Sequence, residues 1–234
     1  MIRVTSEIIE RLRGGIVVSV QTPRSSSLHG PQFAAALAKA AEAGGATGIR
    51  ADSPADVAAV VASVHLPVMG IYTIAAPGTR REITPTLETA MAIGLAGAQI
   101  ISLDGTRWPG EGTAVRTLIR AIHEEIGVPV QVDVASLADG LAARMDGADL
   151  VGTSTTGYPP SGAEDSPDID LVHMLALNLD CPVVAERHYT TLDQIRTAFD
   201  AGAFAVVVGS AIVDVAAATR RFASAACRDR GSAR

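Results

Sequence analysis

Five polar residues stand where runs of small and β-branched residues end. Gln21 closes GGIVVSVQ, Arg50 lies in GATGIRA, Asp104 closes QIISLD, Asp133 lies in PVQVDV, and Glu186 lies in PVVAER. Side chains of these types can do proton chemistry together. A guanidinium forks onto carboxylates, and carboxyls in unequal surroundings divide into a proton donor and a proton acceptor. Glu186, Asp133 and the nearby His188 are therefore the candidate catalytic groups. Candidate substrate contacts are Gln21, Arg50, Tyr72, Thr73, Asp104, Thr153 (followed by Ser154), Arg187, Gly209 and Ser210. The loops add His29, Arg80, Arg81, Arg107 and Tyr158, and Trp108 either roofs a pocket or packs on its rim. One ending is unlike the rest. The stretch MGIYTIAAPG, residues 69–78, reaches the same kind of position with Tyr72 and Thr73 and offers no strong acid or base. Structural roles compete with these readings. Asp104 and Asp133 also suit helix caps, and Arg50 suits a plain carboxylate partner. Glu186 suits a cap poorly, because Thr190 and Thr191 follow it and cap better.

The elements that must carry these residues repeat along the chain. EAGGATGIRA (42–51), GLAGAQIISLD (94–104), MDGADLVGTS (145–154) and DAGAFAVVVGS (200–210) share one shape. A helical pattern ends on Gly, and a small residue then leads into a β-branched run. HLPVMGI (65–71), GVPVQVDV (127–134) and DCPVVAER (180–187) alternate with them, each placing Pro at a strand entrance where no ladder donor is needed. With GGIVVSVQ at the front, eight strands alternate with helices. That count predicts an α/β fold, a closed (β/α)8 TIM barrel with a short N-terminal helix in MIRVTSEIIERLRGG. No GxGxxG fingerprint of an open nucleotide-binding sheet appears. No linker or composition shift divides the chain, so residues 1–234 read as one barrel domain. Residues 157–168 form the longest irregular stretch, and the tail CRDRGSAR reads as frayed. In such a barrel the strands' C-terminal ends share one mouth, which brings the polar endings together.

Composition narrows the function. A net charge of −6 without a basic stripe argues against nucleic acid. The absence of a long uninterrupted apolar run argues against a membrane span. Cys181 and Cys227 are too few and too isolated for a disulfide framework, and the expectation is a reduced, cytoplasmic protein. Neither a spaced metal-ligand set nor a nucleotide or flavin motif is present, so no metal and no cofactor is expected. A phosphate-sized anion would suit the Gly209–Ser210 turn. Lys39, in QFAAALAKAAEAGG, is the only lysine in the chain, and helical spacing puts it away from any strand end. Lysine-base and Schiff-base chemistry have almost nothing to work with.

Seven segments, taken in order, resemble N-acetylmannosamine-6-phosphate 2-epimerases: GGIVVSVQ, LHGPQFAAALAKAAEAGGATGIRA, REITPTLE, QIISLDGT, DLVGTSTTGY, PVVAE and AFAVVVGSAI. The resemblance runs from about Gly14 to Phe222. It implies a (β/α)8 barrel that inverts C2 of an N-acetylamino-sugar phosphate, and it implies a homodimer. It also implies a mechanism in which a lysine removes the C2 proton and a carboxylic acid returns one on the other face. Gln21, Arg50, Asp133 and the proton-returning acid, Glu186, match the family's pattern. Three positions depart from it. GIYTIAA puts Thr73 where the family's GIIKRDY-like segment has its lysine. GSAIVDV puts Asp214 where an arginine helps hold the ligand, and Arg187 stands where a glycine follows the acid.

Three readings follow. The first is a repurposed enzyme in which Glu186, with Asp133 or His188, moves protons on a polar small molecule held by Gln21 and Arg50. The reaction would be an isomerisation, elimination or cyclisation, in a biosynthetic setting. The second is a genuine 2-epimerase whose base has moved to His188 or Tyr72. The third is a metabolite-binding barrel without catalysis.

Overall fold

The computed structural model describes residues 7–74, 82–106, 114–153 and 166–226. Arg80, Arg81, Arg107, Trp108, Ser154, Tyr158, most of the 157–168 loop and the last eight residues lie outside them.

Eight parallel strands close into a barrel. In chain order these are β1 (Ile16–Ser19), β2 (Gly48–Asp52), β3 (Val68–Ile71), β6 (Ile100–Asp104), β7 (Val130–Val134), β8 (Leu150–Thr153), β9 (Val183–Ala185) and β10 (Ala205–Val208), with β10 pairing back onto β1. Between β3 and β6 lies a small ribbon that the sequence did not announce: β4 (Thr73–Ile74) pairs antiparallel with β5 (Glu82–Ile83). The helices are α1 (Pro31–Ala43), α2 (Pro54–Val61), α3 (Leu87–Leu95), α4 (Ala114–Ala121), α5 (Leu137–Met145), α6 (Ile169–Asn178), α7 (Leu192–Asp200), α8 (Ser210–Val213) and α9 (Val215–Ala226). The expected N-terminal helix is described only as one helical turn at residues 7–10.

The punctuation read from the sequence has physical counterparts. Gly45, Gly97, Gly147 and Gly202 all take positive φ just after α1, α3, α5 and α7, the conformation that lets a helix end and turn into a strand. Pro67, Pro129 and Pro182 precede β3, β7 and β9. Their carbonyls accept from the amides of Ile49, Ile101 and Val151, so each proline starts a ladder without needing a donor.

Strand alternation separates two buried layers. Val18, Ile49, Ala51, Ile101, Leu103, Val132, Val151, Val206 and Val208 face the helices and pack with residues such as Ala38, Val57, Ile93 and Leu175. Val17, Met69, Ile100, Leu150, Val184 and Ala205 form a second cluster with Ile9, Leu12 and Phe204, which plugs the barrel floor. Gly48 admits that plug, since a β-carbon there would lie 2.6 Å from Leu12 Cδ2. Above the apolar floor the interior turns polar, with Ser19, Arg50, Ser102, Gln131, Asp133 and Glu186 all buried. No helix among the described residues is long and apolar enough to cross a membrane.

Candidate active site

The interior polar layer opens into a cavity of about 220 Å³. Among the described residues it is lined by Gln21, Arg50, Asp133, Glu186, Arg187, His188, Gly209 and Ser210 from the sequence-derived set. Ser19, Ile71, Ile83, Tyr189 and Val207 complete the lining.

Arg50 is the hub. Its Nη2 donates to Asp133 Oδ2 at 2.6 Å, and its Nη1 donates to Glu186 Oε1. The three strands that carry these residues are fixed by ladder register, which is why groups 83 and 136 residues from Arg50 meet it. Asp133 Oδ1 also accepts from Gln131 Nε2 at 2.8 Å. Room for that arrangement comes from Gly152 on β8, where a β-carbon would fall 2.7 Å from both Asp133 Oδ1 and Gln131 Nε2. Ser136, not Asp133, caps α5, and the Thr191–Gln194 capping box starts α7. Both carboxylates are thereby left to the cavity.

Two buried carboxyls share one guanidinium. Burial works against the charge on Arg50, but Asp133 and Glu186 outweigh it and raise its pKa. For Glu186, burial is the largest influence and raises the pKa. Arg50 pulls it down, Asp133 pushes it up again, and the balance sits at about 8. The shift favours the protonated form of Glu186, the form a general acid needs.

Thr153 does not line the cavity. Its hydroxyl accepts from the Glu186 amide at 2.8 Å and donates to the Glu186 carbonyl at 3.0 Å, so it braces the acid from behind. Arg187 and His188 take φ of +82° and +59°, the left-handed region that side chains avoid. The departure at 187, arginine in place of the family's glycine, thus falls where the backbone itself favours glycine. Arg187 Nε donates to His188 Nε2 at 2.7 Å, which leaves that imidazole nitrogen acting as an acceptor. Gly209 and Ser210 sit where β10 gives way to the four-residue helix α8.

Several candidates are placed elsewhere. Tyr72 packs half-buried against the outer apolar layer, because alternation turns it away from the side that Ile71 faces. Thr73 enters the ribbon, and its amide donates to Asp52 Oδ1 at 2.8 Å. The barrel wall at β3 is apolar instead, built from Ile71 and Ile83. Asp104 Oδ1 accepts from the Thr106 amide at 2.9 Å in a local turn, the cap-like role that competed with catalysis. His29 Nδ1 lies 3.2 Å from the Thr22 carbonyl and outside the lining. Asp214 caps α9 by accepting from the Ala217 amide at 2.8 Å, and it does not line the cavity. Lys39 is exposed on α1.

Sequence reading missed Tyr189, three residues past Glu186, whose ring is 3% exposed. It also missed Ile83, which only the ribbon brings to the cavity. Tyr189 had a legible signal, its place in the loop after the acid; Ile83 had none. Among the described residues no group of three or more His, Cys, Asp or Glu is arranged to hold a metal.

A closed (β/α)8 barrel with two buried carboxyls gathered on one arginine at its mouth is the architecture of a barrel enzyme suited to proton transfer. The match that specifies it further covers residues 34–228 and is to the family described as "Putative N-acetylmannosamine-6-phosphate epimerase". The chain belongs to that family. A Cutibacterium acnes protein named "Putative N-acetylmannosamine-6-phosphate 2-epimerase" is 41% identical over 225 residues, covering 94% of this chain and 97% of the relative. A protein of the same name from Caldanaerobacter subterraneus subsp. tengcongensis is 36% identical over 219 residues, covering 92% of each chain. The solved N-acetylmannosamine-6-phosphate 2-epimerase from Clostridium perfringens superposes with a TM-score of 0.85 at 30% identity, over 93% of this chain and 96% of that one.

Proposed function

We propose that this chain catalyses a one-sided proton transfer on a small anionic sugar derivative, with Glu186 as the proton-donating acid. The observation that carries this is the unequal cavity, with a protonated Glu186 on one side and an apolar Ile71–Ile83 wall on the other. Asp133 holds Arg50 and sets the charge balance that keeps Glu186 protonated. Gln21 and Arg50 orient the substrate, and Arg187 with the Gly209–Ser210 turn faces its anionic group. His188 steadies Arg187 rather than acting as a base, since its Nε2 is occupied by that arginine.

Inversion at C2 by two groups on opposite faces needs a base where, among the described residues, this cavity has isoleucines. An elimination, isomerisation or cyclisation assisted from one face does not. Loss of one of two positioned proton-transfer groups costs roughly a hundredfold to ten-thousandfold in rate. The deciding experiment incubates the protein with N-acetylmannosamine 6-phosphate in D2O and follows the sugar by proton NMR. The expected result is interconversion with N-acetylglucosamine 6-phosphate slower by at least a hundredfold than for the Clostridium perfringens enzyme.

A second reading, a 2-epimerase in full working order, is favoured by the 41% identity across nearly the whole length of a relative that carries that name. Interconversion at a rate matching that enzyme would establish it and remove the first reading.

A further inference from the structure

The seam between β3 and β6 carries a side chain from outside the barrel. The two strands pair directly at Met69 with Ile100 and at Gly70 with Ile101. Just past those pairs, the Tyr72 amide and the Ser102 carbonyl are joined through the Thr84 hydroxyl. Thr84 Oγ1 accepts from the Tyr72 amide at 3.1 Å and donates to the Ser102 carbonyl at 2.7 Å. A hydroxyl can do both at once, having one proton to give and lone pairs to accept with. The Thr84 amide in turn donates to the Tyr72 carbonyl at 2.9 Å, so one residue engages both polar groups of the Tyr72 backbone.

This placement is costly. Thr84 is fully buried and sits at φ +48°, a left-handed conformation that β-branched side chains avoid. Pro85 follows it and restricts its backbone further. Glycine would take that conformation freely but would leave the Tyr72 amide and the Ser102 carbonyl without their link. Helix capping does not account for Thr84 either, because Thr86 caps α3 by accepting from the Thr89 amide. What Thr84 holds is its neighbour. Ile83 pairs with Thr73 in the ribbon and lines the cavity that contains Glu186. The ribbon consists of the pairs Thr73 with Ile83 and Ile74 with Glu82. So short a hairpin is not stable by itself and needs an anchor on the barrel.

We infer that Thr84 is a positioning residue: its hydroxyl, bridging β3 and β6, holds Ile83 in the cavity wall and thereby sets how the substrate seats against that wall. Thr84 does not line the cavity and acts only through the isoleucine. Its effect therefore falls on substrate binding and leaves the acid at Glu186 untouched. A wall held by a buried link keeps one shape, and a site of fixed shape loses little freedom when it binds. This assignment rests on the reading that the cavity around Glu186 is the substrate site.

The test is a double-mutant cycle on Thr84 and Ile83, read as affinity for N-acetylmannosamine 6-phosphate in titration calorimetry. Thr84→Val keeps the shape and removes the link, and affinity should fall about tenfold, the scale of one displaced apolar contact. Thr84→Ser keeps the hydroxyl and should bind like wild type. In an Ile83→Ala background, Thr84→Val should cost little more, because the residue through which it acts is gone. The full loss in that background, no loss with Ile83 present, or a serine variant as weak as the valine one would each overturn the inference. If Thr84→Val does not fold, Thr84→Gly, which suits φ +48°, takes its place with the same expectations. If the sugar phosphate fails to bind wild type, the substrate class proposed above is wrong, and a crystal structure of the folded variant decides the positioning role. Ile83 displaced from the cavity lining upholds it, and Ile83 unmoved sinks it.

Discussion

The two sides of the cavity differ in almost every physical respect. The β9 side presents Glu186, Arg187, His188 and Tyr189 in sequence, with two of the four in left-handed backbone and the acid braced by Thr153. The β3 side presents Ile71 and, through the ribbon, Ile83. Strain and buried charge are expensive to hold and persist where they serve a site. The described residues of the apolar side are cheap to maintain and carry no titratable group into the lining. Among the described residues the titratable groups of this cavity therefore gather away from the β3 side.

The comparison breaks first at Glu186. Glu186→Gln keeps the shape and removes the proton, and turnover should fall roughly a hundredfold to ten-thousandfold in the NMR assay. Unchanged turnover would move the chemistry elsewhere. Next in size is the effect of supplying the missing base. Thr73 stands at the family's lysine position and opens the ribbon two residues past Ile71, so Thr73→Lys should increase C2 inversion of N-acetylmannosamine 6-phosphate at least about tenfold. No gain would show that the β3 side is not where the reaction is limited.

The pH dependence sharpens the polar side. Because Glu186 acts protonated with a pKa of about 8, the rate should fall about tenfold per pH unit above that point, and a flat profile through pH 9 would contradict the assignment. Stability follows the same sign. The fold raises this carboxyl from 4.5 to about 8, so it favours the protonated form. Its contribution is complete below about pH 4.5 and is lost as pH rises through about 8. Thermal melts from pH 5 to 9 should show that loss in wild type and not in Glu186→Gln.

The smallest expected effect is at Arg187. Arg187→Gly relieves a backbone at φ +82° and should stabilise the fold by about 1 kcal/mol in urea melts. The same change removes a cation from the cavity and should weaken binding of the sugar phosphate several-fold, read as a higher KM. A stability gain with unchanged KM would leave Arg187 a strained bystander.

Much of the barrel was legible because its signals are local. A glycine with positive φ after a helix and a proline opening a strand each act within a few residues, and Gly97 and Pro129 mean the same thing in the sequence as in the fold. The polar endings were legible for a related reason: an acid such as Glu186 in an otherwise apolar strand run needs a partner. Asp104 and Tyr72 stood at strand ends in the sequence as Asp133 and Glu186 did, yet a turn at Thr106 engages one and strand alternation points the other outward.

The sequence alone determined the eight-strand order and the residue types available at the mouth, since both follow from periodicity and turn chemistry. Only the tertiary structure decided which of those residues meet. Ladder register sets Arg50 between Asp133 and Glu186, and pairing of β4 with β5 brings Ile83 to the cavity wall, while Tyr189 packs into the layer beneath the helices. Contacts across 83 and 136 residues depend on closure of the whole barrel. No local preference encodes them.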